Sequence, residues 1–450
     1  MTSAVPDWTA LRSSIAGDVV TAADPEYDDV RRPAITNFHG VLPQAVVRCA
    51  TPSDVAETLA FADRFGLPMA PRSGGHCFAG RSSTEGVVVD VSPMSSISVS
   101  DGVASIGAGC RLGAVYDALA VEEVTIPAGC GATVGIAGLV LGGGLGVLGR
   151  TYGLTSDRLV AAEVVLADDR IVRADQDNEP DLFWALRGAG GGRFGVVTSL
   201  DIATVPMPTM TTFHLTWPRS DAVAVAEAWQ EWAPKAPNPI AASLLLRAEG
   251  DTGEPATVNV FGAAIGSESD TTALLDELVV RTGAEPATFA ITEASYPEAK
   301  RWLAARFPGE DGDLRLHSKS EFFDRPLPRD TLGSLIDGLG DGRLPGETRI
   351  LDFSPWGGAY GRTRQDATAF AHRDPQFLLK QEVAVRPESQ GPARRWLRSS
   401  WSTAHPWGTG GVYPNFPDPD LDESDAAYHG PNLDRLRRIK AAYDPTGRFG

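Results

Sequence analysis

The spacing of apolar and polar residues divides the chain into two parts that differ in the length of their predicted elements. In the first part, mostly apolar runs at residues 86–91 and 161–166 are typical of short buried strands. The amphipathic segment at residues 53–62 predicts a helix, with Ser53 as its N-cap. The first part is therefore predicted to mix short strands and helices.

The pattern changes near residue 205, where prolines interrupt the chain, and longer elements follow. Predicted helices and strands of this second part cover Ala222–Trp232, residues 271–281, Thr257–Ile265, residues 349–353 and Phe377–Val385. Such a set favours an antiparallel sheet backed by helices. A last helix is expected around residues 432–443, close to the end of the chain.

This arrangement predicts more than one domain, because 450 residues exceed what one compact core usually holds. We expect a first domain over residues 1–205 and a second domain over residues 206–407. Residues 408–450 are expected to return to the first domain. The predicted fold class is α+β.

The charge balance limits the partners of the protein. The chain has 40 basic and 58 acidic residues, a net charge of -18. A surface of this sign repels phosphate backbones and anionic lipids, so we expect neither nucleic acid nor a membrane as a partner. A small-molecule substrate that is neutral or cationic agrees better with this charge.

Targeting signals are not evident in the sequence. The N-terminal residues lack the basic and apolar regions of a secretory signal. The longest apolar stretch, residues 134–149, is interrupted by glycines and is too short to cross a bilayer. We therefore expect a cytoplasmic protein.

Cysteine and histidine spacing does not indicate a metal site. The four cysteines contain no C-x-x-C pair, and the histidines outside the glycine-rich loops lack ligand spacing. We expect no metal and no disulfide framework. The residues concerned are Cys49, Cys77, Cys110, Cys130, His39, His214, His405 and His429.

Glycine clusters before residue 200 suggest one cofactor held by several loops. Two of them, at residues 144–149 and 190–195, match the dinucleotide pattern G-x-G-x-x-G. The first match is followed by Arg-Thr-Tyr-Gly, a poor start for the helix that a Rossmann unit requires. We therefore reject a Rossmann fold.

The loop at residues 71–80 is more informative. Ser73, Gly74 and Gly75 are small residues before His76, which lets successive backbone N–H groups point inward and bind a pyrophosphate. A histidine at the end of such a loop would lie beside the group that the phosphates carry. Taken alone, the loop fits a turn with a surface histidine equally well.

Several motifs occur together in one order and decide between these alternatives. The chain resembles the berberine bridge enzyme-like branch of the FAD-linked oxidases, which have the vanillyl-alcohol oxidase or PCMH-type fold. The resemblance covers nearly the whole sequence. It is carried by R-S-G-G-H at residues 72–76, the glycine-rich residues 135–146, Y-G-L-T-S-D at residues 152–157, residues 181–198, Y-P-N-F-P-D at residues 413–418 and Y-D-P at residues 443–445.

The resemblance implies a PCMH-type FAD-binding domain of two α+β subdomains, with the antiparallel sheet as an inserted substrate domain. It also implies that His76 bonds covalently to the flavin 8α-methyl group. The residues expected to contact FAD are Arg72, Ser73, Gly74, Gly75, His76, Cys77, Val134, Gly135, Gly138, Gly142, Gly146, Gly195, Val197 and Asn415.

A second covalent bond is doubtful. Many relatives attach the flavin again through a cysteine in a C-P-x-V-G pattern, where the cysteine lies three positions before the valine. In this chain Cys130 lies four positions before Val134, and Gly131 occupies the matching place. We therefore favour a single bond, with Cys130 as a small residue near the cofactor. Val134 matches the position that admits oxygen to the flavin in relatives, and this match favours an oxidase. The alternative is that Val134 is only a core residue of a glycine-rich segment.

The resemblance implies Tyr413 and Lys380 as catalytic residues. Tyr413 is the expected base, although an ordinary phenol has a pKa of about 10 and needs a nearby cation or a concerted step. Lys380 would be that cation, and it shares a strand face with Glu382. The alternative is that both charges face solvent on an edge strand, and for Glu382 this alternative has at least equal weight. Asp352, Lys319 and His317 are weaker candidates.

The expected reaction is oxidation of a small alcohol to a carbonyl, in secondary metabolism, with FAD passing electrons to O₂ and releasing H₂O₂. Amine oxidation or oxidative cyclisation on the same fold is the alternative. A flavin dehydrogenase with another acceptor, or a non-catalytic flavin or ligand carrier, also stays open. Oligomeric state is not predicted.

Overall fold

The computed structural model describes residues 5–249, 256–306, 314–421 and 424–449. Helices of the first part are α1 (Trp8–Ser14), α2 (Tyr27–Arg31), α3 (Pro52–Phe65), α4 (Leu112–Val121), α5 (Ile136–Leu141), α6 (Gly149–Tyr152) and α7 (Pro180–Leu186). Its strands are β1 (Asp18–Thr21), β2 (Ala45–Arg48), β3 (Met69–Arg72), β4 (Val87–Asp90), β5 (Ile97–Ser100), β6 (Val103–Gly107), β7 (Val124–Thr125), β8 (Leu159–Val165), β9 (Ile171–Asp175), β10 (Val196–Ala203) and β11 (Val205–Pro206).

These strands form two main sheets. The first has the order β1-β2-β4-β3, with an antiparallel β1–β2 pair and parallel pairs elsewhere. The second has the order β5-β6-β10-β8-β9 and is antiparallel throughout. The short strands β7 and β11 pair separately. One apolar core, which includes Val47, Val89, Ile106 and Val164, fills the space between them.

The second part adds strands β12 (Thr209–Trp217), β13 (Ile240–Ala248), β14 (Thr257–Ile265), β15 (Thr288–Ser295), β16 (Arg315–Phe323), β17 (Thr348–Pro355) and β18 (Phe377–Val385). Its helices are α8 (Ala222–Trp232), α9 (Glu268–Thr282), α10 (Tyr296–Ala304), α11 (Arg329–Gly338) and α12 (Gln390–Ala404), and α13 (Ser424–His429) and α14 (Leu433–Tyr443) follow near the C-terminus. Strands β12 to β18 form one antiparallel sheet in the order β15-β12-β14-β13-β17-β18-β16. The predicted antiparallel sheet backed by helices is therefore confirmed.

A second core lies between this sheet and its helices, and it contains Trp229, Leu335 and Phe353. Leu436 and Ile439 of α14 belong instead to the core of the first part. The C-terminal helix α14 therefore packs on the first part of the chain, as expected if the chain returns to its first domain. The boundaries at residues 205 and 407 stay a prediction.

Two helix starts differ from the sequence prediction. Thr51, not Ser53, is the N-cap of α3, because its hydroxyl accepts a hydrogen bond from Asp54 N at 3.2 Å and Asp54 Oδ2 accepts one from Thr51 N at 3.2 Å. Helix α9 begins at Glu268, before the predicted residue 271, because Ser267 Oγ accepts a hydrogen bond from Asp270 N. In both cases, a polar residue outside the apolar pattern provides the cap.

Candidate active site

Two cavities meet at the loop that carries His76. The smaller, of about 350 Å³, lies between this loop, the glycine-rich segment before β8 and the segment at residues 413–417. The larger, of about 1350 Å³, lies between the same loop and one face of the seven-stranded sheet. His76 lines both cavities.

All but two of the predicted FAD contacts line the smaller cavity. They are Arg72, Ser73, Gly74, Gly75, His76, Cys77, Val134, Gly135, Gly138, Gly195, Val197 and Asn415. The two exceptions are Gly142 and Gly146. A side chain at Gly142 would meet Asn415 Oδ1 at 2.1 Å, and one at Gly146, which lines the larger cavity, would meet Ala128 O at 2.1 Å. Both glycines therefore allow close packing of the cavity walls.

The backbone of the His76 loop is arranged to bind an anion. Within the described chain, the N–H groups of Gly74, Gly75 and His76 donate no hydrogen bond. A Cβ atom at Gly74 would lie 2.2 Å from Gly135 N, and Gly75 has a φ of +73°. Two glycines thus bring this loop against the glycine-rich segment and leave N–H groups available. The arrangement fits the pyrophosphate of FAD.

Arg72 and Ser73 line this cavity, but their side chains are mostly engaged within the protein. Arg72 donates from Nε to Ser82 O and from Nη1 to Val30 O, both at 2.9 Å. Ser73 Oγ donates to Ala108 O at 2.6 Å. Arg72 Nη2 is buried without a hydrogen-bond partner among the described residues. Arg72 therefore fixes the loop through backbone carbonyls, and its positive charge lies in the wall of the cavity that a phosphate group would occupy.

His76 is held in an orientation and a protonation state that suit a nucleophile. Its Nε2 atom lies 3.0 Å from Thr133 Oγ1. Burial, followed by the positive charge of Arg111, lowers the pKa of His76 below its ordinary value. The neutral imidazole is therefore favoured, and it has a lone pair that can bond to a carbon atom.

Tyr413 and Asn415 anchor the glycine-rich segment. The Tyr413 hydroxyl accepts hydrogen bonds from Gly144 N at 3.0 Å and Leu145 N at 2.9 Å, and Asn415 Nδ2 lies 3.2 Å from it. Tyr413 lines the smaller cavity. Burial raises the pKa of Tyr413, although these donors favour the phenolate. Its predicted role as a base stays a prediction.

The sheet presents alternate residues of three neighbouring strands to the larger cavity, as the two-residue period of a strand requires. Apolar and small side chains occupy most of these positions. The alternating lining residues are Ala241, Ser243, Leu245 and Arg247 from β13, Thr348, Ile350, Asp352 and Ser354 from β17, and Lys380, Glu382 and Ala384 from β18.

Three ionisable side chains form a cluster on this wall. Asp352 and Lys380 are opposite each other in the β17–β18 register, and Lys380 forms an ion pair with Glu382. Burial, opposed by Lys380 and reinforced by Glu382, raises the pKa of Asp352 to about 6. Its Oδ1 atom is buried and has no hydrogen-bond partner in the described part of the chain.

Lys380 and Glu382 do not lie on an edge strand, so the solvent-facing alternative is wrong for this strand. β18 lies between β17 and β16. Lys380 Nζ lies 5.2 Å from the ring centroid of Phe78 and 5.0 Å from that of Phe416. The lysine therefore reaches from the sheet to the His76 loop and to the segment of Tyr413.

Other candidates are engaged away from the cavities. Lys319 Nζ donates to Asp418 Oδ2 at 2.5 Å, and His317 Nε2 lies 3.2 Å from Gln390 Oε1. Arg373 forms two hydrogen bonds of 2.8 Å with Asp157, which joins the second part to the Y-G-L-T-S-D motif. No group of three or more His, Cys, Asp or Glu residues in the described ranges could hold a metal ion.

Asp352 is a weaker candidate than Tyr413 from the sequence alone, and neither Phe78 nor Phe416 was predicted as a site residue. Phe78 is two residues after His76, and Phe416 belongs to the Y-P-N-F-P-D motif. The motifs that contain Phe78 and Phe416 are the sequence signal from which both residues could have been predicted. Contact with Lys380 depends on three distant chain segments meeting, and sequence spacing does not report that.

Comparison with known proteins agrees with this geometry. A family model described as "FAD binding domain" matches residues 43–175, and one described as "Berberine and berberine like" matches residues 412–450. The FAD-linked oxidoreductase YgaK of Bacillus subtilis, itself uncharacterized, is 33% identical over 97% of this chain and 96% of its own length.

Two solved structures share the fold. BBE-like 1 of Physcomitrella patens has a TM-score of 0.88 and 24% identity, covering 98% of this chain and 97% of its own. Glucooligosaccharide oxidase of Acremonium strictum has a TM-score of 0.87 and 25% identity, covering 99% and 98%. The latter carries a 6-S-cysteinyl, 8α-N1-histidyl FAD.

The chain therefore belongs to the berberine bridge enzyme-like family of FAD-linked oxidoreductases. It is an enzyme with FAD as its cofactor, and the resemblance and the PCMH-type α+β fold expected from its motifs are confirmed. Across the described residues, no helix combines the length and the apolar character needed to cross a membrane.

Proposed function

We propose that this enzyme oxidises an alcohol group of a small organic molecule to a carbonyl and passes the electrons through FAD to O₂, releasing H₂O₂. The observation that supports the proposal most is the buried carboxyl group of Asp352, in a cavity wall opposite the His76 loop. Bound FAD supplies the hydride acceptor, so the protein must supply a base for the hydroxyl proton.

Asp352 is the base that the geometry favours. Its pKa of about 6 leaves the carboxylate ionised at neutral pH and close enough to that pH for efficient proton transfer. Lys380 contributes the positive charge that keeps this carboxylate ionised despite its burial. Tyr413 is the alternative base, and it would act only on a hydroxyl group that enters the smaller cavity.

His76 is the proposed covalent attachment residue. Its neutral imidazole, oriented by Thr133, is the group that would hold the flavin at its 8α position. Val134 lines both cavities beside this residue, and a valine of this size leaves a path for O₂. Glucooligosaccharide oxidase, which this chain resembles, is named as an oxidase, and this supports O₂ as the acceptor.

The larger cavity favours a substrate that is bulky and mostly apolar. Its volume of about 1350 Å³ exceeds that of ordinary ligand pockets, which are roughly 300–1,000 Å³. Leu245, Ile350 and Ala384 give the sheet wall an apolar surface, on which the negative charges of Asp352 and Glu382 are matched by the positive charges of Arg247 and Lys380. A neutral molecule fits this wall, and amine oxidation stays the second candidate.

The first experiment tests the covalent bond. The wild-type protein and His76→Ala are precipitated with acid and run on a denaturing gel, and flavin fluorescence is measured in the band. We expect flavin to stay with the wild type and to leave the variant. Flavin that stays on His76→Ala would point to a second bond at Cys130, and absence of flavin from both proteins would disprove covalent attachment.

The second experiment tests the reaction. Bulky secondary alcohols and matched amines are screened for H₂O₂ release and O₂ consumption. Peroxide formed in equal amount to a ketone product supports alcohol oxidation. Flavin that a substrate reduces rapidly but that O₂ reoxidises slowly would contradict the oxidase proposal and favour a dehydrogenase.

A further inference from the structure

The larger cavity is lined by more positive than negative charge, although the protein as a whole is acidic. Among the described residues, seven arginine and lysine side chains line it, against four carboxylates, whereas the whole chain has a net charge of -18. On the sheet wall two cations face two carboxylates, so that wall adds no net charge. Most of the positive excess therefore lies at the opposite end, where the cavity meets the first sheet and its loops.

Three neighbouring parallel strands end at this part of the cavity. Arg48, Asp90 and Arg72 are the last residues of β2, β4 and β3, and they are paired in one register row, so their side chains leave the same face of the sheet. All three line the cavity. The single carboxylate lies between two guanidinium groups, and its Oδ1 atom also accepts a hydrogen bond from Ser92 N at 2.8 Å. The row keeps an unbalanced positive charge at the strand edge where parallel sheets bind ligands.

Two arginines from flanking loops face the same space. Arg32 follows α2, Arg111 precedes α4, and both are exposed residues that line the cavity. In the part of the chain that the structure describes, neither side chain forms a hydrogen bond or an ion pair. Arg48 has a distant partner, Asp18, at 3.7 Å, and Arg72 Nη2 is buried without a hydrogen-bond partner among the described residues. The cluster can therefore bind an anion without breaking a strong ion pair.

This arginine cluster adjoins the proposed FAD site without coinciding with it. Arg32, Arg48 and Arg111 are not among the described residues that line the smaller cavity. Arg111 lies near His76, because burial and then the positive charge of Arg111 lower the pKa of His76. An anion held by the cluster would thus lie in the same cavity as Asp352, at the end away from the seven-stranded sheet.

We propose that Arg32, Arg48 and Arg111 bind an anionic group of the substrate, a carboxylate or a phosphate ester, while a hydroxyl group of the same molecule is oxidised at Asp352. The planar guanidinium group matches the oxygen atoms of both anions. The charge-balanced sheet wall takes the neutral part of the molecule. The inference rests on the proposed function for the position of the hydroxyl group. It departs from the neutral or cationic substrate that the net charge suggests, because the nearest charges dominate the field inside a cavity.

The first test measures binding to the holoenzyme by isothermal titration calorimetry and needs no turnover. The probes are 2-naphthoate, 2-naphthyl phosphate and the neutral 2-naphthamide, none of which has an alcohol group to oxidise. We expect at least one anion to bind about tenfold more tightly than the amide at low ionic strength, the gain from one charge-assisted hydrogen bond. Added salt should reduce this preference. Equal affinities of the three probes, or tightest binding of the amide, would overturn the proposal.

Arginine variants assign the preference to the cluster. Arg32→Gln combined with Arg111→Gln removes two exposed charges, and Arg48→Gln removes the third. Each should weaken anion binding about tenfold and leave the amide unchanged, whereas Arg111→Lys should keep most of the preference. The matched control is Arg364→Gln, which removes an exposed arginine that pairs with Asp366 in a separate surface hollow. An unchanged preference in the cluster variants, or an equal loss in the control, contradicts the proposal.

Flavin content and melting temperature of every variant separate the alternatives. Flavin lost from the cluster variants, with the anion preference unchanged, would assign the arginines to the cofactor and overturn the proposal. The preference is measured without turnover, so it can survive failure of the proposed reaction. An arginine-dependent preference in an enzyme that forms no carbonyl from any alcohol would leave the anion site standing and reject alcohol oxidation.

Discussion

Asp352 and Lys380 are opposite each other on the neighbouring antiparallel strands β17 and β18, and both side chains line the larger cavity. The lysine also lies over the rings of Phe78 and Phe416, so it connects the carboxyl group to the loop of His76. Because opposite charges stabilise each other more strongly when partly buried, this pair controls the protonation of the proposed base.

Removing the carboxylate of Asp352 should abolish most of the activity. Asp352→Asn keeps the shape of the side chain but cannot accept the substrate proton, so we expect kcat to fall by roughly 10²- to 10⁴-fold. In the wild type, kcat/KM should decline as the pH falls below about 6, because Asp352 becomes protonated. This decline should be absent from the residual activity of the variant, as measured by O₂ consumption.

Tyr413→Phe serves as the comparison for Asp352→Asn. It removes the acceptor of the Gly144 and Leu145 N–H groups, so a loss of flavin affinity is expected. The decline of kcat/KM on the acidic side of its pH profile, its acidic limb, should stay near pH 6. A Tyr413→Phe variant that retains full flavin content but loses turnover, with turnover retained in Asp352→Asn, would assign the base to Tyr413 instead.

The neighbours of Asp352 should move this limb in opposite directions. Lys380 lowers the pKa of Asp352, and Glu382 raises it. Lys380→Met should therefore move the acidic limb of kcat/KM to higher pH, and Glu382→Gln should move it to lower pH. Lys380→Arg keeps the charge and should leave the limb close to the wild type. Equal limbs in all four proteins would exclude Asp352 as the titrating group.

The close approach at Gly142 should make this position intolerant of a side chain. A Cβ atom there would lie 2.1 Å from Asn415 Oδ1, so Gly142→Ala should destabilise the fold by about 1–3 kcal/mol and weaken flavin binding. The double variant Gly142→Ala with Asn415→Ala should recover part of this loss, since the clashing amide is gone. Thermal unfolding of the four proteins measures the coupling, and additive effects would contradict it.

Acid should destabilise the protein through buried histidines. Burial lowers the pKa of His372 to about 4 and that of His429 to about 3, below the ordinary value of 6.5. The unfolded chain therefore binds protons that the fold excludes, and stability falls as the pH drops from 6.5 through 4. For His372 the loss is on the order of 3 kcal/mol.

His372→Gln isolates this contribution. In the wild type, His372 Nε2 donates to Tyr428 O at 3.0 Å, a bond that the glutamine amide can replace. Denaturant unfolding should show a shallower loss of stability between pH 6.5 and 4 in the variant. Asp352, whose pKa is raised to about 6, acts in the opposite direction in both proteins and cancels from the comparison. Parallel pH dependence would show that His372 does not contribute.

Much of the local structure was predictable because it depends on local spacing. Helix α8 and strands β14 and β18 have the predicted bounds, since their apolar period and their flanking residues lie in the same short segment. The helix starts at Thr51 and Ser267 were missed because a cap depends on one hydrogen bond and not on periodicity. The role of the His76 loop was predictable because several further motifs follow it in one order along the chain, whereas the loop alone fits a surface turn equally well.

The sequence by itself determined the family, the FAD cofactor and the segments that approach it, because those features depend on glycines and motifs that are contiguous along the chain. Only the tertiary structure decided which ionisable groups share a cavity. Asp352, Lys380 and Phe78 lie on separate segments of the chain. The charge state of Asp352 depends on its burial and on neighbours a few ångströms away, and both arise only when the sheet closes over the flavin-binding loops.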